Sequence, residues 1–102
     1  MSEPIFEWDP AKARGNRAKH GVSFEEAIEA FDDPLAITGF DRIVEGEERW
    51  RTIGRTGFFT VLFVVHTHED ENHQVHVRII SARRADRRER AAYERGDEEA
   101  FR

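Results

Sequence analysis

Arginine is the residue type through which this chain could do chemistry. Arg49, Arg51 and Arg55 fall two and four residues apart in one stretch, and Arg78, Arg83 and Arg84 come from a second. Alternate residues of a β-strand share a face, so an extended 49–55 segment sets its three arginines in a row. A guanidinium is a planar fork that pairs phosphate oxygens two at a time. Several converging on one phosphodiester would hold it and stabilise the charge that builds as it reacts. Cleaving a phosphodiester without a metal has two further needs: a base for the attacking hydroxyl and an acid for the leaving oxygen. Histidine titrates near neutral pH, which makes His20 a candidate for either role, with Lys19 as a neighbouring charge stabiliser. Glu48 is an alternative base. Lys19 and His20 also close a helix, where cations simply complement the helix dipole. Arg49 and Arg51 have a second reading as ion-pair partners of the acids in Asp41–Glu48. Lys12, Arg84 and Tyr93 join Arg49 and Arg51 as candidate contacts to a nucleic-acid strand such as RNA. Bases stack on aromatic rings in many RNA-binding proteins, and Tyr93 or Trp50 could serve, although Trp50 also suits the core.

His66, His68, His73 and His76 raise the question of a metal. No carboxylate stands at a signature spacing from them, so no metal or other cofactor is assigned.

The elements that must position these groups read as follows. Ile5–Trp8 is a short strand. Asp9-Pro10 opens a helix as N-cap and first helical residue, and Gly21 closes it. Ser23-Phe24-Glu25-Glu26 is a capping box for a second helix that ends at Asp32-Asp33-Pro34. Leu35–Phe40 reads as a strand and Asp41–Glu48 as an acidic, exposed loop. Arg49–Arg55, Phe58–His66 and Val75–Ala82 read as three antiparallel strands, the first two joined by a tight turn at Thr56-Gly57. Thr67–Gln74 reads as a polar loop. Asp86-Arg87-Arg88-Glu89 caps a last helix that runs to Arg95 and stops at Gly96. The order is β-α-α-β-β-β-β-α: an α+β domain over residues 1–96, with two N-terminal helices, an antiparallel meander, a C-terminal helix, and an acidic tail at 97–102.

With a two-residue turn at Thr56-Gly57, one sheet face collects Trp50, Thr52, Phe59, Val61, Phe63, Val65, Val75, Val77 and Ile79 as the core face. The other carries Arg49, Arg51, Arg55 and Arg78 around Ile53, Phe58, Leu62, Val64 and Ile80. On this register those five apolar residues are exposed and would dock a partner. A non-catalytic binding module is therefore the alternative to a nuclease. Direct DNA binding is disfavoured, because no helix joins a basic face to a turn suited to groove insertion.

The chain has 102 residues, 36% of them charged, and a net charge of −5. The charge is segregated: nine acids and one base in 25–48, four bases and no acid in 12–19, seven arginines against three acids in 78–95. Patches of both signs follow. There is no cysteine, so disulfides and thiolate metal sites are excluded. No window approaches a membrane span, and the start lacks the layout of a secretory signal, which makes the cytoplasm the default expectation.

Several blocks together resemble one family. They are Phe6-Glu7-Trp8-Asp9-Pro10-Ala11-Lys12, Asn16, Lys19-His20-Gly21-Val22-Ser23-Phe24-Glu25-Glu26-Ala27, Phe31-Asp32-Asp33-Pro34, Ile53-Gly54-Arg55, and Arg78-Ile79-Ile80-Ser81-Ala82-Arg83-Arg84-Ala85 with Arg88-Glu89 and Tyr93. In this order they resemble the BrnT toxins of type II toxin–antitoxin systems. The resemblance implies a RelE-like fold and a metal-independent endoribonuclease that arrests translation and growth. It places Lys19, His20, Arg55, Arg78 and Arg83 inside the matched blocks as candidate catalytic residues. It also implies a ribbon-helix-helix antitoxin of the BrnA type, a heterotetrameric complex, and contact with operator DNA only through that antitoxin. The His- and acid-rich stretch Thr67–Gln74 departs from the family pattern.

Overall fold

The computed structural model describes residues 3–57 and 59–97. The elements in order are β1 (Ile5–Glu7), α1 (Pro10–His20), α2 (Phe24–Phe31), β2 (Ile37–Val44), β3 (Glu47–Thr56), β4 (Thr60–His66), β5 (Glu69–Glu71), β6 (Gln74–Arg84) and α3 (Arg87–Arg95). All three helices start where their caps place them. Asp9 accepts from the Ala11 amide, and Ser23 and Asp86 each complete a reciprocal capping box. Gly21 and Gly96 close α1 and α3 in the left-handed conformation.

The strands lie in the order β1-β6-β4-β3-β2, with β5 also paired to β6. The sheet is mixed, because β1 runs parallel to β6 with Ile5 opposite His76. An entirely antiparallel sheet was the expectation. Two expected loops are hairpins. Glu45 and Gly46, both at positive φ, turn β2 back into β3 with Val44 opposite Glu47. Asn72 and His73, again at positive φ, join β5 to β6 with Glu71 opposite Gln74. Two consecutive residues at positive φ are what a two-residue hairpin of matching twist requires.

Apolar side chains form two clusters, one on each face of the sheet. Leu62, Val64, Val77, Ile79 and Ala82 pack under α2 with Phe24, Ala27 and Ala30. Val61 and Phe63 pack with Ile37 and Ile53 under Ala92 and Tyr93 of α3. Each large side chain buried this way contributes roughly 1.5–3 kcal/mol. Helix α1 is locked to β6 by Asn16, whose buried amide donates to the Val22 and Ala82 carbonyls and accepts from the Ala82 amide. Helix α2 lies directly on the backbone of β3: a Cβ at Gly54 would stand 2.3 Å from the Ala30 carbonyl oxygen.

The two faces correct the sequence reading of β4. Thr56 pairs with Thr60, so the β3–β4 turn holds three residues, not two. That one-residue change turns every β4 side chain over. Ile53, Leu62 and Val64 have 0% exposure, Val64 and Leu62 beneath α2 and Ile53 beside α3. They are core residues and offer no docking surface; Ile80 is half-buried. Phe58 lies outside the described residues, as do positions 98–102 of the expected tail, while the Asp97 amide still bonds to the Ala92 carbonyl.

Candidate functional site

The arginines do share one face, and it is the α3 face. On β3, Arg49, Arg51 and Arg55 alternate with Thr52 and Gly54, which face α2. On β6, one extra residue opposes the Val65–His66 step. This bulge lets Arg83 stand opposite Phe63 while Arg78 remains on the side away from the buried Val77. The row is long, however. Six residues of strand separate Arg49 from Arg55, roughly 20 Å. The guanidiniums therefore fall into groups and do not gather around one phosphate.

The first group lies where β3 begins. Arg78 reaches over the end of β4 and donates to Glu47 Oε1 at 2.5 Å. Arg49 Nε lies 3.3 Å from the same oxygen. That contact is not aligned for a hydrogen bond, and the Nε is a buried donor with no hydrogen-bond acceptor among the described residues. The bond from Arg78 is the main cause that holds the Glu47 carboxyl below the usual carboxylate range; Arg49 adds to it. Beside this pair is a cleft of about 360 Å³ lined by Gly46, Glu47, Glu48, Thr67, His68 and Glu69. Its walls are tied to the arginines: the Thr67 amide donates to the Arg78 carbonyl, and the Arg78 amide to Thr67 Oγ1. His68 leans on Trp50, with 6.2 Å between ring centroids. Arg51, next along β3, is buried and donates to the Phe40 carbonyl of β2.

The second group lies under α3. Arg83 makes a two-pronged bond to Glu89 at 2.7 and 2.8 Å, and its guanidinium covers the Phe63 ring at 4.4 Å. The bond to Glu89 holds Arg83 more firmly protonated than usual. Arg55 is exposed, and its amide donates to Asp33 Oδ2, which also accepts from the Tyr93 hydroxyl at 2.5 Å. Burial opposes ionisation of Asp33, but the Tyr93 hydroxyl and the Arg55 and Leu35 amides outweigh it and lower its pKa. Burial, then the bond to Asp33, raises Tyr93. At 6% exposure Tyr93 is a core residue with a structural hydroxyl, so its ring cannot stack on a base as expected. Arg84 is exposed at the far end of β6.

Lys12, Lys19 and His20 belong to α1, which packs on the opposite face. The structure does not bring them into the arginine row. His66 is fully buried and faces α2. Its Nδ1 lies 2.8 Å from the Thr67 carbonyl, which can only accept, so Nδ1 carries the proton. Nε2 then accepts from the Thr52 hydroxyl, whose oxygen in turn contacts Thr38. Burial lowers the His66 pKa to about 4, which fixes the ring as neutral. Among the described residues no group of three or more His, Asp or Glu could hold a metal ion. The groups that the sequence reading passed over are Glu47, which was counted only as part of an acidic loop, and His68, which was weighed only as a metal ligand. Pairing of Arg49 with an acid of 41–48 was one of its two alternatives, and Glu47 is that acid.

No helix among the described residues is long and apolar enough to cross a membrane. No curated protein matches the sequence. The fold is similar to the 1.1 Å crystal structure of the Brucella abortus ribonuclease toxin, BrnT, with a TM-score of 0.59, 22% identity, 83% of this chain and 100% of that chain covered. A family model described as the ribonuclease toxin BrnT of type II toxin–antitoxin systems matches residues 8–89, most of the chain. The chain therefore belongs to the BrnT family of ribonuclease toxins of type II toxin–antitoxin systems.

Proposed function

We propose that this protein is an endoribonuclease that cleaves RNA by attack of a ribose 2′-hydroxyl on the adjacent phosphate, and that the Arg49–Arg78 pair is its phosphate site. The carrying observation is the shared carboxylate. Two guanidiniums from strands that are not neighbours grip one oxygen of Glu47, and one buried Nε–H still lacks a hydrogen-bond acceptor. A phosphate oxygen offers the same charge and better geometry, because a phosphodiester presents two free oxygens to two forks. Arg55 lies exposed further along the same strand face, so the bound strand can run along it towards α3. Cleavage of cellular RNA arrests growth, and a cognate antitoxin that covers this face neutralises the toxin.

The test is expression of the chain with and without induction, followed by incubation of the purified protein with RNA. Cleavage that persists in EDTA and leaves 2′,3′-cyclic phosphate ends supports the reading. Arg78→Ala and Arg49→Ala each lower the rate about 10²-fold or more while the near-ultraviolet circular dichroism is kept. Intact RNA with the wild-type protein would sink the proposal.

A further inference from the structure

The structure leaves the reaction's base open, since His20 stands on the opposite face from the arginine row. We infer that Glu47 is the general base of the cleavage, the group that takes the proton of the attacking 2′-hydroxyl. This rests on the ribonuclease reading with Arg49 and Arg78 as the phosphate site.

Geometry carries the assignment. Glu47 opens β3 two residues before Arg49 and on the same face, about 7 Å away along the strand. Its carboxylate touches both forks: Arg78 donates to Oε1 at 2.5 Å, and Arg49 Nε lies 3.3 Å from the same atom. The other oxygen, Oε2, accepts no hydrogen bond from the described residues. The side chain is 34% exposed, so a substrate can reach it. A guanidinium has five N–H groups, and Arg78 spends one of them on Glu47. A phosphate held on the remaining donors lies one fork's width from the carboxylate. The 2′-hydroxyl stands beside the phosphorus that it attacks, and so within reach of Glu47.

The neighbouring groups are otherwise engaged or turned away. On β2, apolar Val44 is opposite Glu47, while Arg42 is opposite Arg49 and bonds to Asp41. Glu48, His68 and Glu69 line the adjoining cleft, but alternation sends Glu48 to the opposite face with Trp50, whose ring meets His68. In the free protein the bond from Arg78, then the charge of Arg49, holds the Glu47 carboxyl below the usual carboxylate range and makes it a weak base. A phosphate that takes over those donors removes the cause and sets a negative charge alongside. Both effects raise the pKa, so the base gains strength when substrate is in place.

The atoms balance with one water. The 2′-oxygen bonds to phosphorus as its proton passes to Glu47. The bond from phosphorus to the 5′-oxygen breaks, and that oxygen takes a proton from water. The hydroxide left behind takes the proton from Glu47 and restores both. The products are a 2′,3′-cyclic phosphate and a 5′-hydroxyl.

The full chain is assayed for cleavage of an oligoribonucleotide and for binding of its 2′-deoxy counterpart. Glu47→Gln lowers kcat about 10²-fold or more, without weakening the binding of the deoxy strand, and abolishes the fall in rate at acid pH. Glu47→Asp keeps that acid limb at a reduced kcat. In the wild type the acid limb of kcat, which reports the bound enzyme, lies at higher pH than that of kcat/KM, which reports the free enzyme. Near-ultraviolet circular dichroism at each pH separates these effects from unfolding. Glu45→Gln removes one charge from the exposed β2–β3 turn and behaves as wild type. A kcat for Glu47→Gln within tenfold of wild type, an unmoved acid limb, or a loss of deoxy-strand binding as large as the loss of rate would overturn the assignment to Glu47 while leaving the ribonuclease reading intact. A wild-type protein that leaves the oligoribonucleotide uncut would overturn both.

Discussion

Arg78 donates to Glu47 Oε1 across 2.5 Å although β4 lies between their strands. Neighbouring strands are about 4.8 Å apart, so the contact bridges a gap of nearly twice that. The bridge is possible because β4 ends at His66, which opens the way over the sheet. With Arg49 and Arg78 proposed as the phosphate site, Glu47 is expected to compete with an incoming phosphate. Replacing Glu47 with Gln keeps the shape and removes the charge. Glu47→Gln is expected to bind a non-cleavable 2′-deoxy oligonucleotide several-fold more tightly at low salt, with the advantage fading as salt rises. Fluorescence anisotropy over a salt series checks this. Weaker binding would mean that Glu47 positions the arginines for RNA and does not merely fill their place.

His66 makes the fold sensitive to acid. Its pKa falls from 6.5 to about 4 on folding, first through burial, with the charge of His68 adding to the effect. Between these two values the unfolded chain holds a proton that the folded chain does not. Stability is therefore complete above pH 6.5, declines as pH falls, and levels off below about 4. The full loss is on the order of 3 kcal/mol. Urea unfolding at a series of pH values should show this decline. His66→Gln, which can still donate to Thr67 and accept from Thr52, should flatten the curve in that window.

Arg83 is expected to act on stability more than on chemistry. Its fork is filled by Glu89, itself bonded to the Asp86 amide as part of the α3 cap. Arg83→Met keeps an apolar stem over Phe63 but leaves a buried carboxylate short of two partners. The expected cost is about 1–3 kcal/mol. Adding Glu89→Gln should recover part of it. RNA cleavage per folded molecule should fall less than tenfold in Arg83→Met, against about 10²-fold in Arg78→Ala. Thermal melts and the cleavage assay on the same preparations separate the two effects.

Local signals were legible in the sequence where the chemistry is local. Helix α1 begins at an Asp-Pro cap and α2 and α3 at caps made by residues three apart, and each stop is a glycine or an Asp-Pro step, so all three could be placed to within a residue. The strand faces were harder, because a face depends on the length of a turn. Thr56-Gly57 suggested a two-residue connection; the observed pairing of Thr56 with Thr60 adds one residue and moves Leu62 and Val64 from surface to core. The hairpins at Glu45-Gly46 and Asn72-His73 were hidden by acidic neighbours that read as loop, although Gly46 carried a turn signal. The arginine face was legible from alternation alone. How its members divide was not, since Glu47 and Glu89 approach Arg78 and Arg83 through long-range register and through a bulge that no spacing announces.

Gly54 gives the sharpest test of how α2 is seated. Its φ is unexceptional, so the need for glycine is one of space. A Cβ there would lie 2.3 Å from the Ala30 carbonyl oxygen and about 3 Å from its carbon atoms, all backbone. No side-chain rotation relieves such a contact; α2 must lift from β3. Lifting it loosens Ala27 and Ala30 against Leu62 and Val64, and it moves Asp33, which holds the Arg55 amide and Tyr93. Gly54→Ala is expected to cost about 3 kcal/mol or more, at or beyond the upper end of ordinary overpacking. Gly15→Ala is the control, because a Cβ at Gly15 meets nothing within 4 Å and alanine is the better helix former. That variant should be as stable as wild type or slightly more so. Denaturant unfolding of the two alanine variants side by side decides the matter: equal midpoints would mean that α2 does not rest on the β3 backbone.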